Sequence, residues 1–171
     1  MIKELHEKLL KIEIPGIGMR IIKSSIAVLL CFVVDYFRHG AGIVFYSQLS
    51  ALWCMQATKE NTIKNAKQRM LGTFIGTFYG FIYIVIKQFF QTKTETYDYI
   101  GSLIISGMVI LVIYTAVLIK KKQASYFSCV VFLSIVVNHI GDSNPYLFAC
   151  NRFLDTVIGI VIGVLVNLLG F

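Results

Sequence analysis

The sequence predicts an all-α membrane protein: six transmembrane helices forming two inverted three-helix repeats, preceded by a short amphipathic helix. Three observations lead there. The 171 residues are 57% hydrophobic and only 15% charged, with mean hydropathy +0.74, whereas a soluble domain carries about 25% charged residues. Six apolar runs of membrane-crossing length follow one another. A motif in the third run recurs in the sixth, half a chain later. Disorder, collagen, coiled coil and a disulfide-stapled scaffold do not fit such a composition.

Residues 1–16 form an interfacial segment rather than a span. Ile2, Leu5, Leu9 and Ile12 recur at helical spacing, with Lys3, Lys8 and Lys11 on the remaining surface. Such a helix lies in the headgroup region, and Pro15 and Gly16 end it. Residues 17–171 form a six-span integral membrane domain, with repeat halves at about 17–88 and 99–171. Its apolar runs are 21–37, 41–58, 70–86, 99–119, 124–140 and 153–171, each of 17 to 21 residues. A helix needs roughly 20 residues to cross a ~30 Å hydrocarbon core. The first run carries Lys23 and Asp35 near its ends, where Lys23 can snorkel to the interface. It lacks the small-x-small cleavage site of a secretory signal, so it reads as a retained span.

The net charge is +7. An evenly basic surface would point to nucleic acid, but here the cations fall in blocks between apolar runs. Twelve of the sixteen Lys and Arg lie in the N-terminal region up to Lys23, after the second run and after the fourth; Arg38, Lys87, Lys93 and Arg152 lie opposite. Basic loops stay inside, which predicts a multi-pass cell-membrane protein with both termini cytoplasmic. Cys31, Cys54, Cys129 and Cys150 form no CxxC pair and have no His at zinc-ligand spacing; they read as small buried hydrophobes. No metal, cofactor or nucleotide motif is present, and no catalytic constellation: the expectation is a non-enzyme needing no cofactor.

The repeat is the most informative feature. RMLGTFIGTFYGF begins at Arg69 and RFLDTVIGIVIGV at Arg152, so Arg69, Thr73, Gly76 and Gly80 correspond to Arg152, Thr156, Gly159 and Gly163 at an offset of 83 residues. Three spans per half is an odd number, so the halves insert in opposite senses, as in many secondary transporters. Gly72, Gly76 and Gly80 make a small-residue ladder on one helix face, and Gly159 and Gly163 make another. Such ladders let helices approach closely in lipid; lining a substrate path is the other reading.

The polar residues admit two readings each. Arg69 and Arg152 each open a predicted span, where free N–H groups and the helix dipole favour anions. They either capture an organic anion at the two membrane faces or anchor the topology on phospholipid. Asp155 either pairs with Arg152 at i,i+3 or takes up a proton. Thr73 and Thr156 either donate to a carboxylate or bond back to their own helices. His39 and His139 read as solvated loop residues. Gln48 and Gln56 read as interhelical hydrogen-bonding groups. Phe89, Phe90, Tyr97 and Tyr99 read as an outer aromatic belt; Trp53 falls inside a span without an assigned role.

The segments GIGMRIIKSSIAVLL, KENTIKNAKQRMLGTFIG and NRFLDTVIGIVIGVLVN resemble the aromatic acid exporter family. That family lies within the fusaric acid resistance group and is related to plant aluminium-activated malate channels. The resemblance covers the transmembrane part, from Gly16 on, and its specific element is the pair of R-x-x-[GD]-T-x-x-G motifs. It implies six spans per subunit, a homodimer, and export or conduction of organic anions, aromatic carboxylates among them. Arg69, Thr73, Arg152 and Thr156 would then be the substrate-binding residues. The alternative is a non-transporting assembly partner or lipid-binding scaffold. In either case the bilayer is a partner and nucleic acid is not.

Overall fold

A computed structural model describes residues 18–89, 99–138 and 144–169. Among them are six helices and no strand: α1 (Met19–Phe37), α2 (Val44–Cys54), α3 (Lys59–Phe89), α4 (Tyr99–Leu118), α5 (Lys122–Val136) and α6 (Pro145–Leu168). The amphipathic segment 1–16 lies outside the described residues, as do His139, Phe90 and Tyr97.

Four predicted elements are corrected, two in each direction. The second run yields a helix of only 11 residues and the fifth one of 15. At 1.5 Å per residue these are roughly 16 Å and 22 Å long, short of a ~30 Å core. The third element is much longer than its apolar run, at 31 residues. Its first turns are the polar stretch KENTIKNAKQ, rich in good helix formers. The Thr58 hydroxyl caps them by accepting from the Asn61 N–H at 3.3 Å. Likewise α6 starts at Pro145, whose fixed φ suits a first helical position, eight residues before the apolar run 153–171. Helices α3, α4 and α6 are long and apolar enough to cross a membrane.

The turns are set by local chemistry. Lys120 takes a left-handed φ of 58° between α4 and α5, and the Lys121 N–H reaches back to the Ala116 carbonyl at 3.1 Å. That is the Schellman closure of a helix end. His39 and Gly40 both take positive φ after α1, turning the chain back toward α2. At the other end of α2, the Arg20 guanidinium donates to the Met55 carbonyl. Asn167 of α6 donates there to the Gln56 carbonyl at 2.9 Å and to Thr62 Oγ1 at 2.6 Å.

Helix α3 packs chiefly on α5 and α6, and α6 packs chiefly on α2 and α3; α1 lies against α2 and α6, and α4 against α5 and α3. Exchanging the first three helices for the last three leaves this set of neighbours unchanged. The core has two main parts, with a smaller cluster of Cys54, Ala66 and Ile160 beside them. One cluster centres on Val112, Val131, Phe132 and Ile135, the other on Ala27, Cys31, Ala51 and Met55. The outer faces of α1 and α4 stay apolar and exposed, as at Leu29, Phe32, Leu103 and Ile110. In water that would be a liability; in lipid it is the expected solvent face.

The glycine ladders set the closest approaches. A Cβ on Gly72 would lie 2.7 Å from the Ala124 carbonyl oxygen, and one on Gly76 2.5 Å from that of Ser128, so α3 and α5 touch through backbone. On Gly163 it would lie 2.6 Å from the Ala51 carbonyl oxygen, and on Gly159 it would run into that of Ser47. At Gly72, Gly76, Gly159 and Gly163 an added Cβ would meet backbone, and at Gly80 only the Ile135 side chain, so two short helices are clamped against two long ones.

Candidate functional site

The clamps carry two arginines into the interior. Arg69 of α3 is 3% exposed and Arg152 of α6 is 1% exposed. Neither stands at a helix N-terminus, because ten residues of α3 precede Arg69 and seven of α6 precede Arg152. The backbone N–H groups beside them are consumed within the helix, so the helix-end argument for anion affinity does not apply. The two lie close enough for the charge of Arg69 to act on Arg152.

The two surroundings mirror each other. Arg69 Nε donates to Ser50 Oγ at 3.3 Å, and its guanidinium carbon lies 4.5 Å from the centre of the Phe127 ring. Arg152 Nε donates to Ser134 Oγ at 3.3 Å, and its guanidinium carbon lies 3.5 Å from the centre of the Tyr46 ring. Each arginine thus takes a hydroxyl from the short helix of its own half and a ring from the short helix of the other half. Cation–π contact of this kind is stronger when water is excluded. Trp53 meets the Phe127 ring edge-on at 4.8 Å, so it belongs to this cluster. The serines are held in turn, Ser50 by the Tyr46 carbonyl and Ser134 by the Val131 carbonyl, both at 2.8 Å.

Thr73 and Thr156 bond back to their helices. Thr73 Oγ1 donates to the Arg69 carbonyl at 2.9 Å, and Thr156 Oγ1 to the Arg152 carbonyl at 3.2 Å. Thr156 also accepts from Arg152 Nη1 at 3.0 Å. That leaves Arg152 Nη2, which is buried and has no acceptor among the described residues. A buried guanidinium donor without an acceptor is costly.

Asp155 corrects a second expectation. Its hydrogen bonds do not go to Arg152, although its charge is near enough to act on it. One oxygen pairs with Arg38 Nη1 and the other accepts the Ile43 N–H at 2.9 Å. The reason is direction: Arg152 turns toward Tyr46 and Ser134, while Asp155 faces the α1–α2 turn. Gly42 makes room there, since a Cβ on it would sit 2.6 Å from Oδ2. Asn151 closes the same turn by donating to the Ala41 carbonyl at 2.7 Å. Among the described residues the Asp155 carboxylate is therefore committed to Arg38 and the Ile43 N–H rather than to Arg152.

Gln56 donates to the Trp53 carbonyl at 3.0 Å, within its own turn. Gln48 is half-buried, and its Nε2 has no acceptor. Tyr46, Ser50, Phe127, Ser134 and Arg38 were not legible as site residues. A signal existed for two of them: Ser50 and Ser134 are 84 apart, one residue from the offset of the arginine motifs.

Helices of this length and apolarity, folded around two buried arginines with no salt bridge among the described residues, define an integral membrane protein with a polar centre. The chain belongs to the fusaric acid resistance protein-like family, whose model matches residues 26–166 and so takes in both arginine motifs. This is a membrane transport and resistance-type family. No curated protein and no solved structure matches the chain.

Proposed function

We propose that this protein is a membrane transporter or channel-like exporter of organic anions, carboxylates in particular, and that Arg69 and Arg152 recognise the anion together at one site inside the membrane. The observation that carries this reading is Arg152 Nη2, a buried cationic donor with no acceptor among the described residues, beside a second buried arginine that has no carboxylate partner among them. A guanidinium offers a planar fork matched to a carboxylate. The rings of Tyr46, Phe127 and Trp53 around it suit an aromatic acid.

The same reading takes the two halves as an inverted repeat. Its support is the exchange symmetry of the helix neighbours and of the two arginine surroundings. All six helices would then lie in the membrane, with α2 and α5 crossing only part of it, as the discontinuous helices of transporters do around a central site. A pseudo-two-fold axis in the membrane plane would pass between the arginines. Six helices make a thin bundle, so we take the working unit as a homodimer. A weak-acid anion needs no other energy source, since an interior-negative potential favours its exit by about 2.3 kcal/mol per charge per 100 mV.

Flux tests the proposal. Purified protein in liposomes under an imposed potential is expected to carry benzoate-like carboxylates at a rate that rises with the potential. A folded protein that carries no anion would leave the assembly-partner or scaffold reading. Orientation is checked separately. With Cys150 replaced by serine, Lys64→Cys in right-side-out vesicles is expected to resist an impermeant maleimide until the membrane is opened. Labelling in sealed vesicles would reverse the proposed topology.

A further inference from the structure

An apolar groove runs along the outer side of α3 and α6, apart from the arginine site. Its first part, about 670 Å³, is walled by Leu71 and Phe74 of α3 and by Phe153 and Ile160 of α6. A second hollow of about 410 Å³ shares Phe74 and Phe153 and continues past Phe78 and Leu154. Together they form one long channel open to the side. Its two ends differ. Lys64, Lys67 and Lys121 ring the first part, and no Asp or Glu among the described residues lines either part. Gln68 lies at the same basic end. It is 8% exposed, and its Oε1 is buried with no donor among the described residues.

We propose that this groove holds one anionic glycerophospholipid of the bilayer. Its phosphate would lie among Lys64, Lys67 and Lys121, a headgroup hydroxyl would donate to Gln68 Oε1, and an acyl chain would run along Phe74 and Phe153. Basic pockets between transmembrane helices suit such headgroups on the cytoplasmic side, which is where the loop charges place these lysines. The unpartnered acceptor narrows the chemistry further. A phosphate has no proton to give it at neutral pH, whereas a glycerol headgroup has two hydroxyls. A second copy of the chain fits less well, because two-fold apposition of this face would bring six lysines together with no carboxylate between them. The proposal does not rest on the transport reading: a lipid seated here is compatible with a transporter and with a scaffold.

The test is lipid counting by native mass spectrometry. The full chain, stripped in neutral detergent, is titrated with dioleoyl phosphatidylglycerol and with dioleoyl phosphatidylcholine. Phosphatidylglycerol is expected to bind about 100-fold more tightly, in line with three surface lysines near a headgroup. Lys64→Ala, Lys67→Ala and Lys121→Ala combined should bring the two lipids to within about twofold of each other. The same charge loss at Lys23, Lys59 and Lys87 should not. Gln68→Leu keeps the lysines and is expected to weaken phosphatidylglycerol binding about threefold; it reads the site even if the triple variant does not fold. Equal binding of the two lipids to the wild type would overturn the proposal. So would an equal effect of both triple variants, or displacement of the lipid by glycerol 3-phosphate alone. Efficient disulfide formation between copies carrying Phe74→Cys would assign the groove to a second subunit instead.

Discussion

Replacing Arg152 with methionine is expected to cut carboxylate flux by about 100-fold while leaving the folded protein at least as stable as before. The two halves of that result have separate causes. An arginine within a membrane helix is unfavourable by roughly 2.5–3.5 kcal/mol on insertion scales. Arg152 recovers part of this through Ser134, Thr156 and the Tyr46 ring, but one of its Nη groups has no acceptor among the described residues. Methionine fills a similar volume and its sulfur sits well against Tyr46. Thr156 and Ser134 keep their own backbone acceptors, so the substitution strands no donor. The anion, by contrast, loses charge-assisted hydrogen bonds worth about 1.5–3 kcal/mol each, and about 1.4 kcal/mol is tenfold in affinity. Arg152→Lys keeps the charge but not the fork, and a loss of about tenfold is expected. Arg69→Met should behave like Arg152→Met, since its surroundings are of the same kind. Thermal unfolding in detergent and flux in liposomes, measured on the same preparations, separate the outcomes. A steep fall in melting temperature together with flux would make the arginines structural and remove the basis of the transport reading.

How far the sequence carries this argument depends on the range of each interaction. The membrane class follows from hydropathy, a property of each segment alone, and it survives in the long apolar helices. The glycine ladders were legible for the same reason, because spacing of four along one helix fixes a face regardless of what packs on it. The arginine pair was legible as a pair but misplaced. Arg69 sits where charge gives way to apolarity, so hydropathy sets a span boundary there, yet the helix runs ten residues further back because Thr58 caps it. A boundary in polarity is not a boundary in backbone. Asp155 was misassigned because a neighbour three residues away is visible in sequence, while Arg38 is 117 residues distant. Tyr46 and Phe127 were invisible for a related reason: each serves the arginine of the other half, which only the exchange of helices between halves brings near.

The glycine contacts yield the sharpest structural prediction, because neighbouring positions differ in what an added methyl would meet. At Gly159 a Cβ would run into the Ser47 backbone carbonyl, which can give way only if α2 and α6 separate. Gly159→Leu is expected to leave no monodisperse protein, and Gly159→Ala to cost about 1–3 kcal/mol, the usual penalty of overpacking. At Gly80 the nearest atom is the tip of the flexible Ile135 side chain, at 3.0 Å. There the strain is small, and alanine gains up to about 1 kcal/mol of helix propensity over glycine, so Gly80→Ala should be close to neutral. At Gly107 nothing lies within 4 Å, and the same propensity difference should appear as a net gain in stability. Size-exclusion thermal stability should therefore rank Gly107→Ala above wild type, Gly80→Ala near it and Gly159→Ala well below. Propensity alone would raise all three alike, so the order isolates backbone contact as the cause. A Gly159→Ala protein that melts like the wild type would mean that α2 and α6 are not clamped as described. The Tyr46 ring would then not be held over Arg152 by packing, and the site would need another source of rigidity.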